Sequence, residues 1–231
     1  MSTEIPPSGR GAEAASKLQI LATEHWSLLA TRSLTYTESL SRVTIFLAIL
    51  SGAVIALALV AQADHFGTAF IWIAIPLLSV VLFAGVATIS RLNALNRDDY
   101  RWVVGMNRLR HAYIELHPEL ERHFVTSPYD DLPGALQTLG IDVDDASAGR
   151  GIGSVFHVFQ TLPGMLSVIV AAVAGAIGAL AALAMAIPAF GAVVAAVAAF
   201  VLVMVVMRSW GQRAVTHVNP SLEPRFPSPR S

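Results

Sequence analysis

The chain has 231 residues, of which 55% are hydrophobic and 13% charged, about half the charged share of an average soluble domain. A formal net charge of −1 gives no large field to recruit nucleic acid, and the lack of any cysteine excludes disulfides, thiolate metal sites and a cysteine nucleophile. Apolar surface in this excess needs lipid, so the bilayer is the expected first partner.

All fifteen Lys and Arg residues fall outside two long stretches. Between Arg42 and Arg91 only Asp64 is charged, and between Arg150 and Arg208 nothing is. A bilayer core of roughly 30 Å takes about 20 helical residues, so each stretch holds two crossings and a turn. The expected fold is an all-α integral membrane protein with two transmembrane helical hairpins, four spans in all, the first hairpin extended by long cytoplasmic helices.

In chain order, residues 1–11 are polar, include Pro6-Pro7 and are expected to be disordered, without the basic and apolar start of a cleaved signal peptide. Residues 12–117 read as one long helical hairpin, with spans at about 43–61 and 69–89 and a polar turn from Gln62 to Thr68. Before the first span, Ala15, Leu18, Ala22, Trp26, Leu29, Tyr36 and Leu40 recur at helical spacing, as one packed face requires. After the second, Leu92, Leu95, Trp102, Met106, Leu109, Tyr113 and Leu116 follow alternating steps of three and four, with Asp99 the one break. That is a heptad seam, ended by Pro118. At about 1.5 Å per residue the two arms would reach roughly 35 to 40 Å from the membrane. Their faces, with Trp26, Leu29, Trp102, Met106, Leu109, Tyr113 and Leu116 as interface residues, would pack as a coiled-coil pair, between subunits, or both. Pro76, near the middle of the second span, is expected to kink it.

Residues 118–160 read as a cytoplasmic linker with a short helix from Asp131 to Leu139, a hinge at Gly149-Arg150-Gly151-Ile152-Gly153, and an amphipathic approach to the membrane through Val155, Phe156, Val158 and Phe159. Residues 161–212 form the expected second hairpin, with spans at about 165–186 and 189–207 broken at Ile187-Pro188. Small residues recur at every fourth position as Ala171, Gly175 and Ala179, as Ala174, Gly178 and Ala182, and as Gly191, Ala195 and Ala199, a pattern that lets helix backbones approach closely. Residues 213–231 carry four prolines and are expected to be a disordered tail.

Cations number four before the first span, seven between the hairpins and four after the last, with none in either turn. The positive-inside rule then puts both termini and the middle segment in the cytoplasm. One Lys against fourteen Arg, with abundant Ala, Val and Gly, fits a high-GC bacterial genome and hence the inner membrane.

The candidate chemistry is thin. His117, Glu119, Glu121 and His123 lie within seven residues, but Pro118 breaks the helix that would align them as metal ligands. Asp142, Asp144 and Asp145 resemble a calcium loop, yet Ser147 and Gly153 stand where that loop needs Gly and Glu. Asp98 and Asp99 beside Arg97 and Arg101 read as charges on a helix surface. No cofactor or metal is expected. The spans carry none of the ionisable residues on which coupled transporters rely.

The segments from Asn96 to Trp102 and from Met106 to Tyr113 resemble those of uncharacterised bacterial four-span integral membrane proteins, over about residues 17 to 131. That resemblance implies no activity. The order of long helix, two-span hairpin and returning helix also resembles SLATT-type domains, which implies a membrane effector in nucleotide-signalled defence. The function expected is a non-enzymatic membrane scaffold or signalling component that oligomerises or docks a membrane-protein partner through its helical stalk. An oligomeric pore-forming effector is the alternative, and an enzyme acting on lipid-soluble substrates a further one.

Overall fold

The computed structural model describes residues 7–140, 161–216 and 222–229. The aspartates at 142, 144 and 145, the expected hinge and the amphipathic approach all lie outside the described residues. Among those described every regular element is helical, with no strand: α1 (Pro7–Asp64), α2 (Thr68–Leu116), a 3-10 turn (Pro118–His123), α3 (Leu132–Thr138), α4 (Leu162–Ala184) and α5 (Ala189–Thr216). Four of these, α1, α2, α4 and α5, are long and apolar enough to cross a membrane. α1 begins inside the stretch expected to be disordered. Proline suits a first helical position, where its missing amide would have no helical partner, so Pro7 starts the helix rather than blocking it.

α1 tolerates its many threonines because their hydroxyls are satisfied locally. Thr23, Thr31, Thr35 and Thr44 each donate to the carbonyl four residues earlier, at 2.8–3.0 Å. The helix stops at Asp64, the one charge of the first apolar stretch. Its carboxylate accepts from the Phe70 amide at 2.7 Å, while its carbonyl accepts from Gly67 N at 2.9 Å. Asp64 thus ends α1 and caps the start of α2. His65 and Phe66 take left-handed backbone angles in the turn. Pro76 lies inside α2, which continues past it to Leu116.

The chain divides into two compact units: an apolar one of residues 37–97 and 150–217, and a charged one of residues 1–36, 98–149 and 218–231. In the apolar unit, Phe46 of α1, Val81, Ile89 and Leu92 of α2, and Leu166 and Val170 of α4 form one buried core. Gly85 marks the meeting point of three helices, since a Cβ there would lie 2.5 Å from Val170 Cγ2 and 2.9 Å from Phe46 Cε2. α4 therefore shares a core with α1 and α2, which the separate sequence patterns do not reveal.

α4 starts at Thr161, whose hydroxyl accepts from Gly164 N, and packs along α5. A Cβ on Gly175 would lie 3.1 Å from the Ala196 carbonyl oxygen. One on Gly178 would lie 2.9 Å from that of Ala195 and 3.0 Å from Ala199 Cβ. Ala171, Ala174 and Ala182 are buried and Ala179 half-buried. Gly191 differs from its expected place on a helix contact, because a Cβ there would strike Ile187 of its own turn. Close packing within that turn, where Ala186 is left-handed, is what requires Gly191 to be small.

At the edge of the apolar unit Glu38 is held by two arginines. Arg91 donates from Nε at 2.9 Å and Nη2 at 3.0 Å, and Arg42 from Nε at 2.8 Å. Hydrogen bonds from Arg91, then from Arg42, hold the Glu38 carboxyl down to about 2.

Candidate functional site on the charged unit

The charged unit is built around the return segment of α2. Along it the inward positions are mixed. Met106, Val103 and Val104 are buried, but so are Asn107 and Arg110. α1 answers with a mixed face of its own. Arg32 meets Asp99 through two hydrogen bonds at 2.7 and 3.3 Å, His25 stacks on Tyr113 at 6.0 Å, and Leu28 approaches Gly105, whose added Cβ would lie 3.1 Å from Leu28 Cδ1. Burial first, and then the charge of Arg110, push the His25 pKa down and so favour the neutral ring.

This face is not the one expected from hydrophobic spacing. Trp26 is 71% exposed, and Leu29, Tyr36 and Leu40 are exposed as well, whereas Leu21, His25, Leu28, Arg32 and Thr35 are half-buried. A shift from Trp26 to His25 turns the helix by about 100°. The physical reason is Asp99. Read as a break in the seam, it is the group that Arg32 must reach. On α2, Trp102, Leu109 and Tyr113 are half-buried and Leu116 is exposed. Trp102 Nε1 is buried with no hydrogen-bond partner among the described residues.

A second constellation lies on α2 at Val104, Arg108 and His111, spaced four and three residues apart and so on one side of the helix. Facing them is the segment from Ser127 to α3. Asp131 caps α3 by accepting from Gly134 N at 2.9 Å, with Pro133 fixing the first turn. Gly134 has to be glycine because a Cβ would sit on the Tyr129 carbonyl. Fully buried Asn107 ties this loop to α2. It donates to the Tyr129 carbonyl at 2.7 Å and accepts from Arg110 at 2.6 Å and Thr138 at 2.9 Å. The buried Asp130 carboxylate accepts from Arg108 Nε at 2.7 Å.

Into the groove so formed comes the C-terminal segment, residues 222–229. Asp130 accepts from the amides of Arg225 at 2.9 Å and Phe226 at 2.8 Å, and its own amide donates to the Phe226 carbonyl at 3.1 Å. Asp131 accepts from both the amide and the hydroxyl of Ser228. The Phe226 ring stacks on His111 with centroids 4.0 Å apart, Leu222 joins the cluster of Val103, Val104 and Ala135, and Arg108 donates to the Glu223 carbonyl at 3.0 Å. This corrects the expected disordered tail: α5 continues to Thr216, and residues 222–229 are seated. Proline content, read as disorder, here goes with a segment that bends at Arg225 and Phe226 and pairs through its backbone.

Burial is the largest single influence on Asp130 and pushes its pKa upward. The hydrogen bonds from Arg225 N, Arg108 and Phe226 N outweigh it and leave the group below 3.8. Asp131 behaves alike: burial raises it, and the bonds from Ser228 and Gly134 bring it below 3.8. Both are carboxylates at neutral pH.

Of the other candidate groups, His117 Nδ1 lies 3.1 Å from Glu119 Oε1 on an exposed turn, and Asp98 pairs with Arg101 at 3.2 Å on the surface. Among the described residues no cluster of three or more His, Asp or Glu side chains could hold a metal ion. Compared with known proteins, the chain matches no family model, no curated protein and no solved structure.

Proposed function

We propose that this is a non-enzymatic, multi-pass protein of a bacterial inner membrane. In this reading the apolar unit is its anchor, and the charged unit is a cytoplasmic module that oligomerises or docks a membrane-protein partner. α1 with α2, and α4 with α5, are then two hairpins, with both termini on the cytoplasmic side where the cations gather.

The observation that carries this reading is the outer face of α1. Ile20, Trp26, Leu29, Leu34 and Tyr36 are all exposed, and between Lys17 and Arg32 the only charged residue is Glu24. Large apolar side chains left exposed on a helix outside the bilayer offer an interaction site, and Trp and Tyr are the residues that anchor such sites. Native mass in mild detergent tests it. The wild-type chain is expected to run as a complex larger than one copy, and Trp26→Glu with Tyr36→Glu to disperse that complex while membrane insertion persists. A monomeric wild type, or a variant of unchanged mass, would count against self-association.

A further inference from the structure

The walls of the groove stand on bonds that do not involve the C-terminal segment. Asn107 joins the Tyr129 carbonyl to α2, Asp131 caps α3 through Gly134, and Arg108 faces Asp130. A surface that keeps its shape without its ligand is preorganised, and binding there spends little on ordering.

The segment, for its part, is held as a ligand is held. Its backbone is gripped at both Asp130 and Asp131, while Leu222, Phe226 and Ser228 are only half-buried and the residues between them stay exposed. Pro224, Pro227 and Pro229 restrict the backbone and remove amides that would otherwise need partners. Backbone capture supplies affinity without choosing a sequence. Selection comes from the aromatic ring on His111 and the hydroxyl on Asp131.

We propose that the Asp130–Asp131 groove is a peptide-recognition site, for a proline-flanked segment with an aromatic residue followed two positions later by a hydroxyl residue. Residues 222–229 are its resident and displaceable ligand. A protein partner presenting this pattern competes with the resident segment and frees the C-terminal end of the chain. The site is separate from the outer face of α1 and stands whether or not that face self-associates.

The absence of cysteine allows one label to be placed on the full chain at Ser231→Cys. With the protein in mild detergent, the anisotropy of the label reports docking, and a synthetic peptide of residues 222–231 is the competitor. A tethered segment has an effective concentration in the millimolar range, so half-displacement is expected at roughly 1 mM peptide. The peptide carrying Phe226→Ala should leave the label docked at that concentration. Ser228→Ala in the full chain, which removes one bond to a charged group from the resident segment but not from the competing peptide, should lower the required peptide roughly tenfold. Displacement by neither peptide, or by both equally, would overturn the proposal, as would an anisotropy that is the same in wild type and in Asp130→Asn with Phe226→Ala. Far-ultraviolet circular dichroism confirms that each variant keeps its helices.

Discussion

Arg32 and Asp99 form a two-bonded ion pair that joins α1 to α2 within the charged unit, Nε to Oδ1 at 2.7 Å and Nη2 to Oδ2 at 3.3 Å. The pair fixes the rotation of α1. Because Arg32 faces inward, His25 and Leu28 do too, and Trp26, Leu29 and Tyr36 are left on the outside. A polar contact thereby decides where the apolar surface goes, and with it which face is free to meet another molecule.

Replacing Asp99 by leucine would complete the apolar seam in sequence terms, and a coiled-coil pattern alone predicts a gain in stability. The structure predicts a loss, since Arg32 keeps its place without a carboxylate. Unfolding in detergent should show Asp99→Leu destabilised. The coupling energy from a double-mutant cycle of Arg32→Ala and Asp99→Ala should be about 1 kcal/mol, as expected for a well-aligned, partly exposed pair. No coupling would mean that the rotation is set by other contacts.

Asn107 is the fully buried hub of the loop that carries Asp130 and Asp131. Asn107→Ala leaves the Tyr129 carbonyl, the Thr138 hydroxyl and a buried Arg110 without their shared partner. A loss of about 2 to 3 kcal/mol is expected in the unfolding free energy. Faster proteolysis between Phe124 and Asp131 should accompany it, while the apolar unit keeps its helicity.

Gly85 has no room for a side chain between Val170 and Phe46. Gly85→Val should cost about 1 to 3 kcal/mol by overpacking and separate α4 from α1 and α2. Adding Val170→Ala should recover part of that loss. If Gly85→Val is neutral, the two helical pairs do not share the core described.

The C-terminal segment should respond to acid with a definite sign. Asp130 and Asp131 both have pKa values below the ordinary 3.8, so docking favours their ionised forms. The stabilisation is full above that ordinary value and is lost as pH falls through the values in the docked state. Anisotropy of a label at position 231 should stay flat from about pH 8 to pH 5 and drop only below about pH 4. A midpoint near neutrality would contradict control by these two carboxylates.

The large apolar elements were legible because length and lack of charge decide them. Asp64 and Pro188 were legible as turns because a carboxylate cap and a missing amide act locally. Asp131 as the start of α3 was legible for the same reason. The rotation of α1 was not, since apolar spacing marks Trp26 and Leu29 as a face without saying whether that face turns inward or outward. Only the distant partner Asp99 settles it. Gly85 gave no sign because its small size answers to Val170, far along the chain. The docked C-terminal segment was hidden for a related reason: prolines restrict a chain whether it is free or bound, and the acceptors lie about 95 residues away at Asp130 and Asp131. The adjacent aspartates before Leu-Pro-Gly were the available signal, read only as a helix start.

Site-specific photocrosslinking in the intact membrane tests the central claim most directly, because it detects a second copy or a different partner alike. A photoreactive residue placed at position 26 or 36, on the outer face of α1, should yield adducts to another polypeptide chain, and the same residue at position 28, against Gly105, should crosslink within the chain. Adducts between chains from position 28 but not from 26 or 36, or none from any of the three, would contradict an outward-facing interaction surface on α1.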